Sequence, residues 1–411
     1  MRAPEATELA GRLLGHPGIA QIAEALAPVP GCWLVGGAVR DLLLGIRPVD
    51  LDVVVEGDAA DAAALAAERL RGRVRRHERF GTATVEAGGL SFDLATSRRE
   101  SYPRPGALPV VEAAPLDEDL ARRDFTVNAL AAGVSAQRLG ELRAAPAALE
   151  DLGAGRLRVL HERSFVDDPT RLLRLVRYGA RLGFAEEPGT AALARRAIEG
   201  GALGVVSGPR VWGELMLLLR EPRALEALGR AESLGLDRAL HPRLGVRREL
   251  AERALASLPA GARAELTLLA TCVTGFERAE LRGWLEWLGL AAAERDAVLA
   301  AALDAPRLAR ELSAAGRPSE IAALARDHPP EQLALAAALG AAAEVEAWTR
   351  DLRPVRLEIT GDDLLAAGVP EGPRIGRGLA AALAEKLDGG GGGRDAELDA
   401  ALRAAGVNGE G

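Results

Sequence analysis

The stretch that decides the fold is LVGGAVRD at residues 34–41, followed by DLD at residues 50–52. Short runs rich in β-branched residues and bounded by Gly, Asp and Pro predict strands at residues 32–37, 50–55, 82–86 and 90–94. From about residue 139 onward, Ala, Leu, Arg and Glu recur with helical spacing. The sequence therefore predicts an α+β protein, in which an N-terminal head with a small mixed sheet and helices precedes a long all-α region.

Length and composition limit the classes of protein. The 411 residues suffice for two or three domains, and a net charge of −8 argues against a protein that coats nucleic acid indiscriminately. Arginine supplies all of the 51 basic residues except Lys386. Cys32 and Cys272 lie too far apart in sequence to indicate a disulfide framework or a cysteine zinc site. The longest apolar run, residues 333–343, is too short to span a membrane, and residues 1–30 lack a signal-peptide pattern. We therefore expect a cytoplasmic protein with no membrane contact.

Asp50 and Asp52 alternate with Leu51 in a predicted strand. Residues i and i+2 of a strand point to the same face, so the two carboxylates are expected side by side. Two such groups repel each other unless a cation neutralises them, and paired carboxylate oxygens suit Mg²⁺. The pair alone also fits a strand edge with two solvated acids.

Gly36 and Gly37 stand where the first strand is expected to turn into a helix. Glycines at such a turn let backbone N–H groups approach a phosphate, and a helix N-terminus favours an anion. With Arg40 downstream and the two aspartates ten residues further on, the segment predicts a triphosphate site beside its metal ions.

A second polar motif, RRDFTVNAL, occupies residues 122–130. Arg123 is suited to bidentate contact with a phosphate, and Asp124 and Asn128 have the hydrogen-bonding groups to hold a ribose or to orient an arginine. Taken alone, the motif fits a solvated charge cluster or a helix cap equally well.

The clearest predicted helix follows DDPT at residues 167–170. At 100° per residue its arginines fall within an arc of about 120°, with leucines and a valine on the opposite side. A face with a local charge of +4 and no acid between the arginines predicts an anion site, since solvated faces usually mix signs. These arginines are Arg171, Arg174, Arg177 and Arg181.

Two further segments are unusual. Residues 69–79 contain six arginines and one glutamate, a local charge of +5, and fit either a charged surface turn around Gly72 or a contact with an RNA backbone. Residues 96–119 contain four prolines and few spaced apolar residues, which predicts a long loop of functional importance.

The four motifs, in this order and spacing, resemble the bacterial tRNA nucleotidyltransferases that build the 3′-terminal CCA of tRNA. That family belongs to the DNA polymerase beta superfamily and includes poly(A) polymerases. The resemblance is strong over residues 34–184 and weaker at SGPRVWGEL, residues 207–215, and at residues 357–376. It implies a polymerase-beta-like nucleotidyltransferase head at 1–138, a helical neck at 139–206, a body at 207–352 and a tRNA-binding tail at 353–411.

The resemblance also implies roles for the predicted site residues. Asp50 and Asp52 would hold two Mg²⁺ ions, and Gly37, Arg40 and Arg123 would bind the triphosphate. Asp168 and Arg171 would recognise the incoming base without a nucleic-acid template, and Arg174 and Arg177 would extend the nucleotide site. Asp93, near a strand end, is a candidate third carboxylate. The implied substrates are tRNA, ATP and CTP.

Several activities remain open at this point. The loop at residues 96–119 favours addition of the full CCA, because CC-adding members of the family are shortened there; addition of A alone is the next candidate and addition of CC alone the last. Poly(A) polymerases tend to have basic C-terminal extensions, whereas residues 358–411 have a net charge of −5. A non-catalytic RNA-binding protein would have little reason to retain two repelling aspartates.

Overall fold

The computed structural model describes residues 1–77, 81–390 and 392–406. Arg79, in the basic segment singled out above, lies outside these residues. The chain forms two compact units: residues 1–214 with 221–240, and residues 215–220 with 241–411.

A seven-stranded sheet forms the centre of the first unit among the described residues, in the order β3-β4-β5-β2-β1-β8-β9. Strands β2 and β5 pair in parallel and the other neighbours are antiparallel. The strands are β1 (Cys32–Val35), β2 (Asp52–Val55), β3 (Arg73–His77), β4 (Thr82–Ala87), β5 (Leu90–Thr96), β8 (Leu130–Gly133) and β9 (Leu142–Ala144), with the smaller pairs β6 (Arg98–Ser101) with β7 (Val110–Ala113) and β10 (Arg156–Leu157) with β11 (Ala185–Glu186).

Helices pack around this sheet and continue to the end of the unit. They are α1 (Ala6–Leu14), α2 (Pro17–Leu26), α3 (Gly37–Leu43), α4 (Ala59–Leu70), α5 (Leu116–Ala121), α6 (Ala148–Ala154), α7 (Ser164–Asp167), α8 (Arg171–Leu182), α9 (Pro188–Glu199), α10 (Gly208–Leu219), α11 (Ala224–Leu234) and α12 (Leu236–Leu240), with 3₁₀ turns at Thr126–Asn128 and Ala202–Val205. The last residues of α10, from 215 onward, belong to the second unit. The predicted α+β class is confirmed by the mixed sheet and its helices.

Apolar residues of the central strands bury one face of the sheet. Trp33, Val35, Val54 and Ala131 form a buried cluster together with leucines of α5. Toward the β3 edge the two faces differ: Leu94 and Val85 are fully buried on one face, whereas Asp93 and Arg75 are exposed on the other. Strand alternation thus leaves a polar face beside the predicted metal ligands.

The structure differs from the sequence predictions in three places. The expected loop at residues 96–119 is largely ordered, because β6 and β7 form a hairpin and α5 follows it. Asp50 lies in a bend before β2, which begins at Asp52. The sheet extends to β9, beyond the expected end of the head at residue 138, since β9 pairs with β8.

The second unit is helical. Its helices are α13 (Arg248–Ala256), α14 (Ala264–Cys272), α15 (Arg278–Leu288), α16 (Ala292–Leu299), α17 (Ala305–Ala314), α18 (Pro318–Ala325), α19 (Pro330–Ala336), α20 (Ala342–Ala347), α21 (Gly361–Ala366), α22 (Pro373–Leu387) and α23 (Arg394–Ala405), with π-helical segments at Ala300–Asp304, Ala337–Ala341 and Trp348–Leu352. Its buried apolar residues include one cluster around Leu312 and Ala336 and another around Leu364 and Ala401. Among the described helices, each is too short or too polar to cross a membrane.

Candidate active site

A cavity of about 300 Å³ in the first unit brings the separate motifs together. Its walls come from the turn between β1 and α3, the start of β2, the β6–β7 hairpin, the segment after α5, and α8. The lining residues are mostly polar or charged: Gly36, Gly37, Asp52, Glu100, Tyr102, Arg122, Arg123, Asp124, Asn128, Asp168, Thr170, Arg171, Arg174, Tyr178 and Glu214.

The glycine turn allows an arginine to reach this cavity. Gly36 has a φ of 69°, in the region that favours glycine, and its N–H donates to the Leu130 carbonyl at 2.9 Å. A Cβ atom at Gly36 would lie 2.8 Å from Nη1 of Arg123. A side chain at this position would therefore displace the Arg123 guanidinium, so the glycine is needed for close approach as well as for the turn.

Arg123 is held in place by a buried acid. Asp119, fully buried, accepts hydrogen bonds from Arg123 Nη2 at 2.8 Å and from Arg122 Nη2 at 2.7 Å. Burial alone would raise the pKa of Asp119, but Arg123 and Arg122 outweigh it and the pKa is lowered. Arg123 Nε is buried and has no partner among the described residues, which leaves one N–H donor unused.

Asp52 lines the cavity, and the candidate third carboxylate, Asp93, lies beside it in the sheet. In the parallel pairing of β2 and β5, Asp52 is in register with Asp93, so these two share a sheet face. Desolvation, then Asp93, and to a lesser degree Asp50 raise the pKa of Asp52, while Arg123 opposes them. Asp50 precedes β2 and does not belong to the strand as predicted, yet its charge acts on Asp52.

The acids at this point offer only oxygen donors, as Mg²⁺ prefers. After desolvation, repulsion by Asp93 and Asp50 contributes to the raised pKa of Asp52, and a bound cation would relieve this repulsion. Within the described ranges, no cluster of three or more His, Cys, Asp or Glu side chains is close enough to hold a metal ion as the side chains stand. The donor chemistry therefore fits a magnesium site built on the aspartate pair rather than a closed cage.

Asp124 joins the RRDFTVNAL motif to α8. Its carboxylate accepts from Arg174 Nε at 2.8 Å, from Asn128 Nδ2 at 3.0 Å and from the Phe125 N–H at 2.8 Å. Burial opposes ionisation, but Arg174 and the Asn128 hydrogen bond lower the pKa of Asp124 to about 2. Of the two functions expected for Asp124 and Asn128, the structure shows the orientation of arginines, because Asn128 Oδ1 also accepts from Arg40 Nη1 at 2.6 Å.

The arginine face of α8 is not free positive charge. Glu214 pairs with Arg174 at 3.0 Å and with Arg177 at 3.2 Å, and Glu221 accepts from Arg181 Nε at 2.9 Å. The expectation of an unopposed +4 is wrong, because these acids come from α10 and the residues after it, about forty residues along the chain.

Asp168 and Arg171 both line the cavity, and each is fixed by other groups. Oδ1 of Asp168 accepts from Thr170 Oγ1 at 2.6 Å and from Arg210 Nη2 at 2.9 Å. Arg171, largely buried, donates to Ser164 Oγ at 2.6 Å and to the Arg122 carbonyl at 2.7 Å. Both side chains are thus held in one orientation, with Asp168 Oδ2 and several guanidinium N–H groups left for a ligand.

Six of the predicted site residues line the cavity: Gly37, Asp52, Arg123, Asp168, Arg171 and Arg174. Asp50, Arg40 and Arg177 do not. Arg40 is buried, and its Nη2 lies 3.4 Å from the Cβ position of Gly37. Arg177 is buried against the ring of Tyr178, with its guanidinium carbon 4.6 Å from the ring centroid.

Sequence patterns missed Glu100, Tyr102, Tyr178 and Glu214. Glu100 and Tyr102 lie in the segment expected to be a loop, where the Tyr102 hydroxyl donates to Glu100 at 3.1 Å. Burial, partly opposed by Arg171, raises the pKa of Tyr102 to about 12, so its hydroxyl remains a donor at neutral pH. Tyr178 follows Arg174 by four residues in α8, and this spacing could have predicted that the two side chains share one face of the helix.

Known proteins similar to this chain in sequence are nucleotidyltransferases that act on RNA. Residues 32–158 match the poly A polymerase head domain. An A-adding tRNA nucleotidyltransferase from Geobacter sulfurreducens is 34% identical over 98% of this chain and 49% of its own length. A CC-adding tRNA nucleotidyltransferase from Deinococcus radiodurans is 36% identical over 84% of this chain and 82% of its own length.

Similarity extends to a solved structure of a CCA-adding enzyme in complex with ATP. It superimposes with a TM-score of 0.81 and 28% identity, over 98% of this chain and 99% of the other. The chain spans about half, or less, of the length of the A-adding relatives that it matches.

Proposed function

Because this chain belongs to the tRNA nucleotidyltransferase family, we propose that it adds CCA to the 3′ end of tRNA with CTP and ATP as substrates. One observation supports this most directly. A single cavity is lined both by Asp52, beside two further aspartates, and by the Asp168 and Arg171 side chains expected to recognise a base. The reaction would join the RNA 3′-oxygen to the α-phosphorus of the incoming nucleotide and release pyrophosphate.

Asp50 and Asp52 would hold Mg²⁺, and Asp93, in register with Asp52, is a further candidate ligand. When bound there, Mg²⁺ would lower the pKa of the 3′-hydroxyl and offset negative charge on the phosphates. The three aspartates would otherwise repel both the triphosphate and the deprotonated hydroxyl.

The triphosphate would be bound by residues from both sides of the cavity. Gly37 provides an opening at the start of α3, and the guanidinium of Arg123 has an unused buried N–H. Arg174 also lines the cavity, where it donates to the Tyr178 hydroxyl at 3.1 Å. Arg40 and Arg177 are buried and do not line the cavity, so they would support the triphosphate site through their charge and not by direct contact.

Base choice would depend on Asp168 and Arg171. A carboxylate oxygen accepts from an exocyclic amino group, and a guanidinium donates to a ring nitrogen or carbonyl oxygen. Cytosine and adenine both offer that amino group, whereas uracil and guanine present a carbonyl oxygen there. Because Arg210 and Thr170 occupy Oδ1 of Asp168, Oδ2 would be the accepting atom.

The test is nucleotide incorporation by purified protein with Mg²⁺. Three tRNAs, ending at the discriminator base, at C and at CC, are each incubated with one nucleoside triphosphate at a time. We expect CMP addition to the first two and AMP addition to the third. Asp52→Ala should lower transfer at least about 1000-fold, and Asp168→Ala should relax the preference for C and A over U and G. Absence of incorporation on all three tRNAs would refute the proposal.

Addition of A alone is a second candidate, favoured by the similarity to the Geobacter A-adding enzyme over nearly the whole chain. The same assay separates the two, because an A-adding enzyme would extend only the tRNA ending in CC. Extension by C without A would instead indicate a CC-adding enzyme like the Deinococcus relative.

A further inference from the structure

The polar face of the sheet continues from the catalytic carboxylates to the outer strand. Asp52, Asp93, Thr84 and Arg75 are successive cross-strand partners on β2, β5, β4 and β3. Partners in register point to the same face, so these four side chains form one row. With neighbouring strands about 4.8 Å apart, Arg75 lies about 14 Å from Asp52.

Hydrogen bonds connect this row. The hydroxyl of Thr84 donates to Asp93 Oδ1 at 2.6 Å, and His77 Nε2 lies 3.2 Å from the Thr84 oxygen. His77 and Arg73 lie two residues on either side of Arg75, so they share its face. The outer strand is therefore linked through side chains to the acid beside Asp52.

The arginines of β3 differ from most others in the molecule. Arg73, Arg75 and Arg76 are exposed and form no hydrogen bond or ion pair with any described residue. Glu86 is the cross-strand partner of Arg73 and is also exposed, so it reduces the positive charge at that position. Of the two described β3 arginines on the face of the carboxylates, Arg73 and Arg75, the less opposed is Arg75.

We propose that the β3 end of this row binds the backbone phosphates of the 3′-terminal nucleotides of the RNA substrate, with Arg75 as the main contact. The inference rests on the proposed function. Asp52 lines the nucleotide cavity, but Asp93, Thr84 and Arg75 do not. The RNA 3′-hydroxyl must reach the same carboxylates as the nucleotide, and the row offers an approach outside the cavity. Unpaired guanidiniums on an exposed sheet face suit a phosphate chain because charge complementarity requires no base recognition.

The neighbouring residue provides a matched control. Arg76 belongs to the same strand, is also exposed and also lacks a partner among the described residues, but alternation places it on the opposite face. Arg75→Gln and Arg76→Gln therefore remove the same charge within one residue of each other. They differ only in the face of the sheet that loses it.

Binding can be measured without catalysis. The probe is an eight-nucleotide single-stranded RNA ending in CC with a 5′ fluorescein, titrated with the full chain in EDTA without nucleotide. Each phosphate contact contributes about 0.7 to the slope of log affinity against log salt. Arg75→Gln should lower that slope by about 0.7 and raise Kd about eightfold at 50 mM KCl. Arg75→Lys should restore most of the affinity, and Arg76→Gln should change Kd less than about threefold.

The proposal would be overturned if Arg75→Gln left the slope of log affinity against log salt unchanged. It would also be overturned if Arg76→Gln lowered the RNA affinity as much as Arg75→Gln does. If the protein proves inactive in transfer, the anisotropy result still decides the RNA contact by itself. If transfer occurs, the KM for tRNA should rise in Arg75→Gln while the KM for ATP stays constant, because the nucleotide cavity is untouched. A parallel rise in both constants would contradict a contact confined to the RNA.

Discussion

Two basic regions of the first unit look alike in sequence and differ in the folded protein. The face of α8 presents Arg171, Arg174, Arg177 and Arg181, and the strand β3 presents Arg73, Arg75 and Arg76. On α8 each arginine finds a partner in another element, whereas on β3 the arginines remain exposed and unpaired among the described residues. The sequence alone predicts strong local positive charge for both regions.

The difference shows what a local charge count omits. The acids that neutralise α8 are Asp124, Glu214 and Glu221, and none of them lies within thirty residues of the helix start. A buried arginine requires such a partner, because an unpaired buried charge is costly. An exposed arginine on an outer strand has no such requirement, since water solvates it. The α8 arginines therefore shape the cavity, and the β3 arginines remain available to a ligand.

Removing the acid that joins α8 to the cavity should have the largest effect. Asp124→Ala leaves Arg174 without its closest partner and leaves the Asn128 amide and the Phe125 N–H unsatisfied. We expect the free energy of unfolding to fall by about 3 kcal/mol. Denaturation in urea measures this loss. A change below about 1 kcal/mol would mean that the α8 arginines do not depend on their acids.

Low pH should reproduce part of this loss of stability in the wild-type protein, because it protonates Asp124. The pKa of Asp124 is lowered to about 2, so its contribution is fully present above its unfolded pKa and disappears as pH falls through the folded value. A shift of this size corresponds to about 2–3 kcal/mol, lost between roughly pH 4 and pH 2. Comparing the pH dependence of unfolding in wild type and Asp124→Asn isolates the contribution. Identical curves would refute the assignment.

Glu221 tests the far end of α8. Its carboxylate is buried and accepts from Arg181, with Arg177 at 3.5 Å. Glu221→Gln keeps the shape but removes the charge, and we expect a loss of about 1–2 kcal/mol. Because Arg181 is partly exposed and can be solvated, the effect should be smaller than for Asp124→Ala. Thermal unfolding of the two variants side by side gives the ranking.

Substitution on β3 should leave stability almost unchanged. Arg75→Gln removes an exposed side chain that has no partner in the part of the chain that the structure describes, so the free energy of unfolding should change by less than about 0.5 kcal/mol. Denaturation in urea measures this change. Unchanged stability would show that a loss of RNA affinity in Arg75→Gln does not come from unfolding. If Arg75→Gln lowered the free energy of unfolding as much as Glu221→Gln, the β3 arginines would contribute to stability as the α8 arginines do.

Sequence patterns predicted α8 and four of the seven described strands of the central sheet, β1, β2, β4 and β5, but not the long-range partners. The central strands and α8 lie close to the predicted positions because alternation and helical spacing are local properties. The hairpin of β6 and β7 was missed because its strands contain charged residues, such as Arg98 and Glu100, whose partners include the distant Arg122. Asp93 was only a candidate third acid, since its position beside Asp52 depends on a parallel pairing of strands forty residues apart.

The register of the outer strands also limits how this surface can change during evolution. Asp93, Thr84 and Arg75 share a face because β3, β4 and β5 pair without a bulge across them. Inserting one residue into β4 would turn Thr84 toward the core and expose Val85, exchanging polar and apolar sides along half the strand. Deletions and insertions of a single residue should therefore be eliminated here, and divergence in RNA affinity should proceed by substitution at alternate positions. In a library of random variants, the changes in RNA affinity along β3 would follow a period of two.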